Sequence, residues 1–175
     1  IEFATAAHEG VKQIRKSDGT PYIFHPLAVA RNVAEAGCLD QGVLAAAVLH
    51  DVVEDTGVTI GTLTDLFGQN IATLVAHVTE EKLDNWFARK SATLAKIPKW
   101  PREACILKAA DTLDNLRCTQ RQLESVSRYD QKSVWAKFGK GEKWQYWYTV
   151  GIFNGIVAVS GHIDCPPLTL ACLGL

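Results

Sequence analysis

The segment His50-Asp51-Val52-Val53-Glu54-Asp55 gathers one imidazole and three carboxylates immediately after the apolar run Val43 to Leu49. Placed on a helix turning about 100° per residue, His50, Asp51, Glu54 and Asp55 share an arc of roughly 140°. Like charges three or four residues apart repel, so a helix that needed only stability would gain by losing some of them. A bound cation relieves that repulsion. A solvated acidic helix end, closed at Asp55-Thr56-Gly57, is the other arrangement open to the same residues. Two further segments carry polar groups in unusual places. Pro21-Tyr22-Ile23-Phe24-His25-Pro26 sets an imidazole just before a helix start. Lys108-Ala109-Ala110-Asp111 sets a carboxylate inside an apolar helix, with Asn115 on the same stripe and Ile106, Ala109, Leu113 and Leu116 on the other side. Such a stripe lines either a polar cleft or a wet surface.

Distant stretches of chain must converge for these residues to act together, and the apolar spacing that would fold them is mostly helical. Phe3, Ala7, Val11 and Ile14 recur on one helix face. Pro26 suits the first turn of a second helix that runs to about Gly37, a C-terminal glycine. Asp40 is placed to cap a third helix through Val43, Ala46, Ala47 and His50, and Thr59 a short one ending near Phe67-Gly68. Another follows through Ile71, Leu74 and Val75. The charged stretch from Glu80 to Trp100 reads as a mobile loop with some helix. Pro101 then opens a long helix through Ile106, Leu113 and Leu116 to about Leu123. Ser125 to Gly141 reads as a second loop region, before a last amphipathic helix over about Glu142 to Val159. Strand alternation is nowhere sustained, so the expected fold is an all-α single domain over 1–175, with its motifs in 3–123 and a helical C-terminal part over 124–175.

The chain's 175 residues suit one domain, and its 47% apolar share suffices for a sizeable core. Eighteen basic against 19 acidic residues give a formal charge of -1, which argues against a nucleic-acid polymer held by bulk positive charge. No stretch reaches the roughly 18 uninterrupted apolar residues of a membrane span; the patch from Val150 to Val159 is broken by Gly151, Asn154 and Gly155. No secretory leader opens the sequence, and the absence of Met suggests a trimmed start. Cys38, Cys105, Cys118, Cys165 and Cys172 are odd in number and form no C-x-x-C pair, so they are expected to be reduced thiols in a cytoplasmic protein.

The ordered set Arg15-Lys16, Thr20-Pro21-Tyr22-x-x-His25-Pro26, His50-Asp51, Glu54-Asp55-Thr56 and Lys108-x-x-Asp111-x-x-x-Asn115 resembles the hydrolase domain of the RelA/SpoT family, within the HD phosphohydrolase superfamily. The resemblance runs from about Phe3 to Leu123. With no room for a synthetase domain, the chain is most similar to stand-alone small alarmone hydrolases. The resemblance implies an HD-type helical bundle and one metal ion held by His25, His50, Asp51 and Asp111. Two imidazoles and two carboxylates suit a borderline or hard divalent ion, and Mn²⁺ is the family's usual one. It implies Glu54 and Asp55 as the catalytic acidic pair, and Arg15, Lys16, Ser17 and Asn115 as contacts to a small-molecule nucleotide. The implied reaction removes the 3′-pyrophosphate of guanosine tetra- or pentaphosphate and so ends a starvation signal. Related readings keep the metal but take an adenosine alarmone, a nucleotide monoester or NADPH, or keep only nucleotide binding.

Several residues are weighed apart from this set. His8 reads as a satisfied core histidine, Tyr22 as core, and Trp86, Trp100, Trp135, Trp144 and Trp147 as packing residues. Lys82, Arg89 and Lys90 read as solvated, and His77 and His162 take no role. Tyr146 or Tyr148, on the last helix, would stand near the base. Thr112 and Asp114 replace residues that are often basic or aromatic in the family, and Asp114 brings a further negative charge about 60° around the helix from Asp111.

Overall fold

The run from Val43 to Leu49 has no polar side to offer solvent, and it forms the middle of the core. This helix, α3 (Gln41–Leu49), starts where the Asp40 carboxylate accepts the Val43 amide at 3.0 Å and buries Val43, Ala46, Ala47 and Leu49. It packs against α2 (Phe24–Glu35), α6 (Gln69–Val78) and the 23-residue α8 (Arg102–Glu124). The computed structural model describes residues 1–138 and 140–159; Cys165, Cys172 and His162 lie outside them. Among the described residues the regular structure is helical, apart from an isolated bridge between Ile14 and Pro21. The remaining elements are α1 (Glu2–Gly10), α4 (Val52–Asp55), α5 (Ile60–Phe67), α7 (Trp86–Lys96) with a 3₁₀ turn at Ile97–Lys99, α9 (Gln131–Ala136) and α10 (Glu142–Val159). No helix among the described residues is long and apolar enough to cross a membrane.

The caps work as their sequence suggests. Pro26 sits in the first turn of α2, Gly37 follows its end with φ 82°, and Thr59 accepts the Thr62 amide at 3.1 Å to start α5. Four expectations are corrected. The first helix does not continue to Ile14. Lys12 turns left-handed at φ 54°, with Lys12 N bonded to Glu9 O and Gln13 N to His8 O, the paired bonds of a Schellman stop. Val11 and Ile14 are therefore exposed, and residues 13–16 run extended. Nor do His50 to Asp55 form one helix: α3 ends at Leu49 and α4 begins at Val52. The charged stretch after Glu80 is mostly helical, because Trp86, Leu94 and Ile97 lie against the core. The second loop region contains α9, whose Val134 is buried.

Glycine inside a helix costs about 1 kcal/mol relative to alanine, yet α10 carries two where it crosses the 3₁₀ turn and α7. A Cβ on Gly155 would lie 2.9 Å from Ile97 Cγ2, and one on Gly151 would lie 2.7 Å from Leu94 Cδ1. Ile97 is fully buried and has nowhere to move. Gly155→Val is thus expected to destabilise the fold by about 1–3 kcal/mol, the usual result of overpacking. Thermal unfolding followed by circular dichroism checks this; an unchanged midpoint would mean that α10 does not need the close approach.

Candidate active site

The break between α3 and α4 turns His50 and Asp51 inward together. His25, from the first turn of α2, and Asp111, from the middle of α8, meet them from the opposite side. His25, His50 and Asp111 each offer one donor atom, and these atoms all lie within 4.8 Å of one another. Asp111 Oδ1 is 3.3 Å from His25 Nε2 and 3.9 Å from His50 Nε2; Asp51 Oδ2 is 3.5 Å and 3.1 Å from the same two nitrogens.

The outer atoms of each side chain are held. His25 Nδ1 is 2.7 Å from Asp114 Oδ2, and His50 Nδ1 is 2.9 Å from the Ala47 carbonyl. The carbonyl takes an N–H from Nδ1, which leaves the neutral His50 ring with a bare lone pair at Nε2. That atom is buried and has no hydrogen-bond partner among the described residues, although Asp51 is close. Tyr22 donates its hydroxyl to Asp51 Oδ2 at 2.6 Å, Lys108 Nζ to Asp111 Oδ2 at 2.8 Å, and Asn115 Nδ2 to Asp111 Oδ1 at 2.7 Å. Two Nε2 atoms and two carboxylate oxygens facing a common point, with outer partners fixing each ring, are what a divalent ion requires. The residues fit the ion the resemblance implies.

The electrostatics agree. Burial works to raise the Asp111 carboxyl, but the charge of Lys108 and the two imidazoles hold it well below the usual range. Burial works to lower the His25 pKa, yet the bonds to Asp111 and Asp114 outweigh it and push it up to about 10. Without metal, a proton stands in for the cation.

Glu54 and Asp55 diverge from one another. Glu54 Oε2 accepts the Glu80 amide at 3.1 Å, and Asp55 Oδ2 accepts Gln13 Nε2 at 2.7 Å. Burial raises the pKa of both, and the charge of Asp51 adds to it. The acidic cluster is thus separated by its neighbours, and is not a repelling stripe. Gln13 is itself held at Oε1 by His8 Nδ1 at 2.7 Å, and the buried His8 ring lies 4.7 Å from the Tyr22 ring. Neither His8 nor Tyr22 is simply a core residue, because each reaches the acidic groups through one hydrogen bond.

A cavity of about 940 Å³ opens from this cluster. Arg15, Lys16, Ser17 and Asn115 all line it, so the expected nucleotide contacts share one wall. Lys16 is exposed, whereas Arg15 NH2 is bonded to Asp114 at 2.9 Å. The Ser17 hydroxyl is buried without a partner among the described residues. Tyr146 and Tyr148 both line the cavity, the first exposed and the second buried. Trp86 and Trp135 reach it too, while Trp100 is core, and Trp144 and Trp147 stack in an aromatic group with Phe87. Arg89 and Lys90 are paired with the buried Glu80 carboxylate and are not free in solvent. Asp114, Gln13 and Tyr22 are the partners that sequence spacing leaves unassigned.

A sequence profile described as the HD domain matches residues 1–142. The chain is 42% identical over 124 residues to the guanosine-3′,5′-bis(diphosphate) 3′-pyrophosphohydrolase MESH1 of Xenopus tropicalis, covering 69% of each protein. It is 37% identical over 143 residues to the protein of the same name from Drosophila melanogaster, covering 78% of each. The fold superposes on a solved structure described as a metazoan ortholog of SpoT that hydrolyzes ppGpp, with a TM-score of 0.79 and 28% identity over 99% of this chain and 89% of that one.

Proposed function

The chain belongs to the HD-domain family, and from that premise we infer that it is a metal-dependent hydrolase of guanosine tetra- and pentaphosphate, removing the 3′-pyrophosphate to give GDP or GTP. The observation that carries this reading is the approach of His25, His50, Asp51 and Asp111 to one point, beside Glu54 and Asp55, at the floor of a nucleotide-sized cavity. We assign those four side chains to the ion, Mn²⁺, and the whole of 1–175 to one HD domain. The substrate is a small nucleotide rather than a polymer or membrane, and the free thiols of Cys38, Cys105 and Cys118 suit the cytoplasm.

In the reaction a water oxygen bonds to phosphorus, the bond to the ribose 3′ oxygen breaks, and that oxygen leaves with a proton. A divalent ion in this position supplies Lewis acidity to a phosphate oxygen and lowers the pKa of water. Glu54 and Asp55 orient the water and take up its proton, each steadied at one oxygen by the Glu80 amide or Gln13. Lys108, buried beside Asp111 and close enough to Glu54 to feel its charge, adds a fixed positive charge to the cavity wall. Lys16 meets phosphate at the rim, and Arg15, Ser17 and Asn115 hold the nucleoside.

The test is a panel of guanosine and adenosine alarmones, nucleotide monoesters and NADPH, incubated with and without Mn²⁺, with products resolved by ion exchange. Pyrophosphate is expected from the guanosine alarmones only when metal is supplied; its absence from every sample would refute the reading. The ion's ligands make a second expectation. Metal-free His25 keeps its proton up to about pH 10, and Nε2 must give up that proton to bind metal. At pH 8, Mn²⁺ binding should therefore release about one proton or more per ion, and affinity should climb with pH. Calorimetry in buffers of different ionisation enthalpy measures the release. Binding without release would remove His25 from the ligand set.

A further inference from the structure

We propose that Asp114 is a positioning residue that joins the metal half of the site to the nucleotide half. Its single oxygen Oδ2 takes both His25 Nδ1, at 2.7 Å, and Arg15 NH2, at 2.9 Å. The proposal rests on the assignment of His25 to the ion and Arg15 to the nucleotide.

Residues 111 and 114 lie about 60° apart around α8, so this helix brackets the His25 imidazole from both ends. Asp111 Oδ1 faces Nε2 at 3.3 Å, and Asp114 Oδ2 holds Nδ1. A carboxylate at Nδ1 fixes the ring orientation, keeps the proton on that nitrogen and leaves the Nε2 lone pair for the ion. Arg15 comes from the extended segment after α1, 99 residues away in sequence, and Asp114 is the carboxylate that pairs its charge. Asp114 is only 3% exposed. A buried carboxylate is costly unless it is paired, and an apolar side chain would pack this position of α8 more cheaply. Its two partners are what it is there to hold. Both belong to the site, one to each half.

The test uses Asp114→Asn, which keeps the shape and an acceptor but removes the charge, together with Asp114→Ala and Arg15→Met. Two dissociation constants are measured by calorimetry on folded protein: Mn²⁺ without nucleotide, and guanosine tetraphosphate with metal stripped by EDTA, where nothing turns over. Asp114→Asn should weaken Mn²⁺ by about 10–100-fold, as loss of an outer partner of a ligating histidine does, and weaken the nucleotide at least about threefold by releasing Arg15. Asp114→Ala should lose more on both counts, and Arg15→Met should weaken the nucleotide while leaving Mn²⁺ affinity no lower. A folded Asp114→Asn protein that binds Mn²⁺ within twofold of the original, or that loses only one of the two affinities, overturns the proposal. If the unaltered protein does not bind guanosine tetraphosphate, the substrate reading and the nucleotide half fall together, while the Mn²⁺ isotherm still judges the His25 half.

Discussion

Asp111→Asn protein is expected to emerge without its ion and without turnover. Asp111 Oδ1 is the oxygen nearest His25 Nε2 on the α8 side, and Oδ2 holds Lys108 Nζ at 2.8 Å. An amide there keeps the shape but removes one of the two negative charges facing the imidazoles. The loss in Mn²⁺ affinity should exceed the roughly 100-fold that outer partners command, and kcat should fall with it. A separate effect accompanies this one. Lys108 is left buried without its carboxylate, a situation that typically costs about 3–5 kcal/mol. Lys108→Met in the same chain should therefore restore much of the unfolding midpoint without restoring the metal. Elemental analysis and thermal unfolding of the single and double variants separate the two effects. Full metal occupancy with normal turnover in Asp111→Asn would remove Asp111 from the site.

What could be read in advance follows the range of the interactions. Caps and glycine stops act within a few residues, so Asp40, Thr59 and Gly37 mark helix ends directly in the sequence. The end of α1 was obscured because the apolar spacing of Val11 and Ile14 runs on after the backbone has turned at Lys12. α7 was hidden by the charges around it, although Trp86, Lys90, Thr93 and Ile97 already kept a helical interval. In the site, the clustering of His50, Asp51, Glu54 and Asp55 was visible, since all lie within one short segment. Their partners were not: Tyr22 reaches Asp51 across 29 positions, Gln13 reaches Asp55 across 42, and His25 reaches Asp114 across 89. No local rule reports contacts of that separation. Asp114 looked like surplus negative charge by helical angle, and only packing brings it between His25 and Arg15, where the charge is used.

Glu54→Gln should show the opposite pattern to Asp111→Asn: the ion stays and the chemistry slows. Glu54 is not among the side chains whose donor atoms converge on the metal position. Its Oε2 takes the Glu80 amide, which a glutamine carbonyl would accept equally well, so the local fold and Mn²⁺ affinity should change by no more than about threefold. What glutamine lacks is a basic carboxylate oxygen to receive the water's proton. Burial lifts the Glu54 carboxyl above its ordinary range, bringing it nearer to working pH and making it a better proton acceptor than a solvated glutamate. Removing such a group costs about 10²–10⁴-fold in rate, so kcat should fall at least about 100-fold while KM stays near that of the parent. Single-turnover measurement at saturating Mn²⁺ isolates the chemical step from product release. An unchanged rate would pass the proton to Asp55, whose carboxyl is raised by the same burial and held by Gln13. Asp55→Asn would then carry the loss instead.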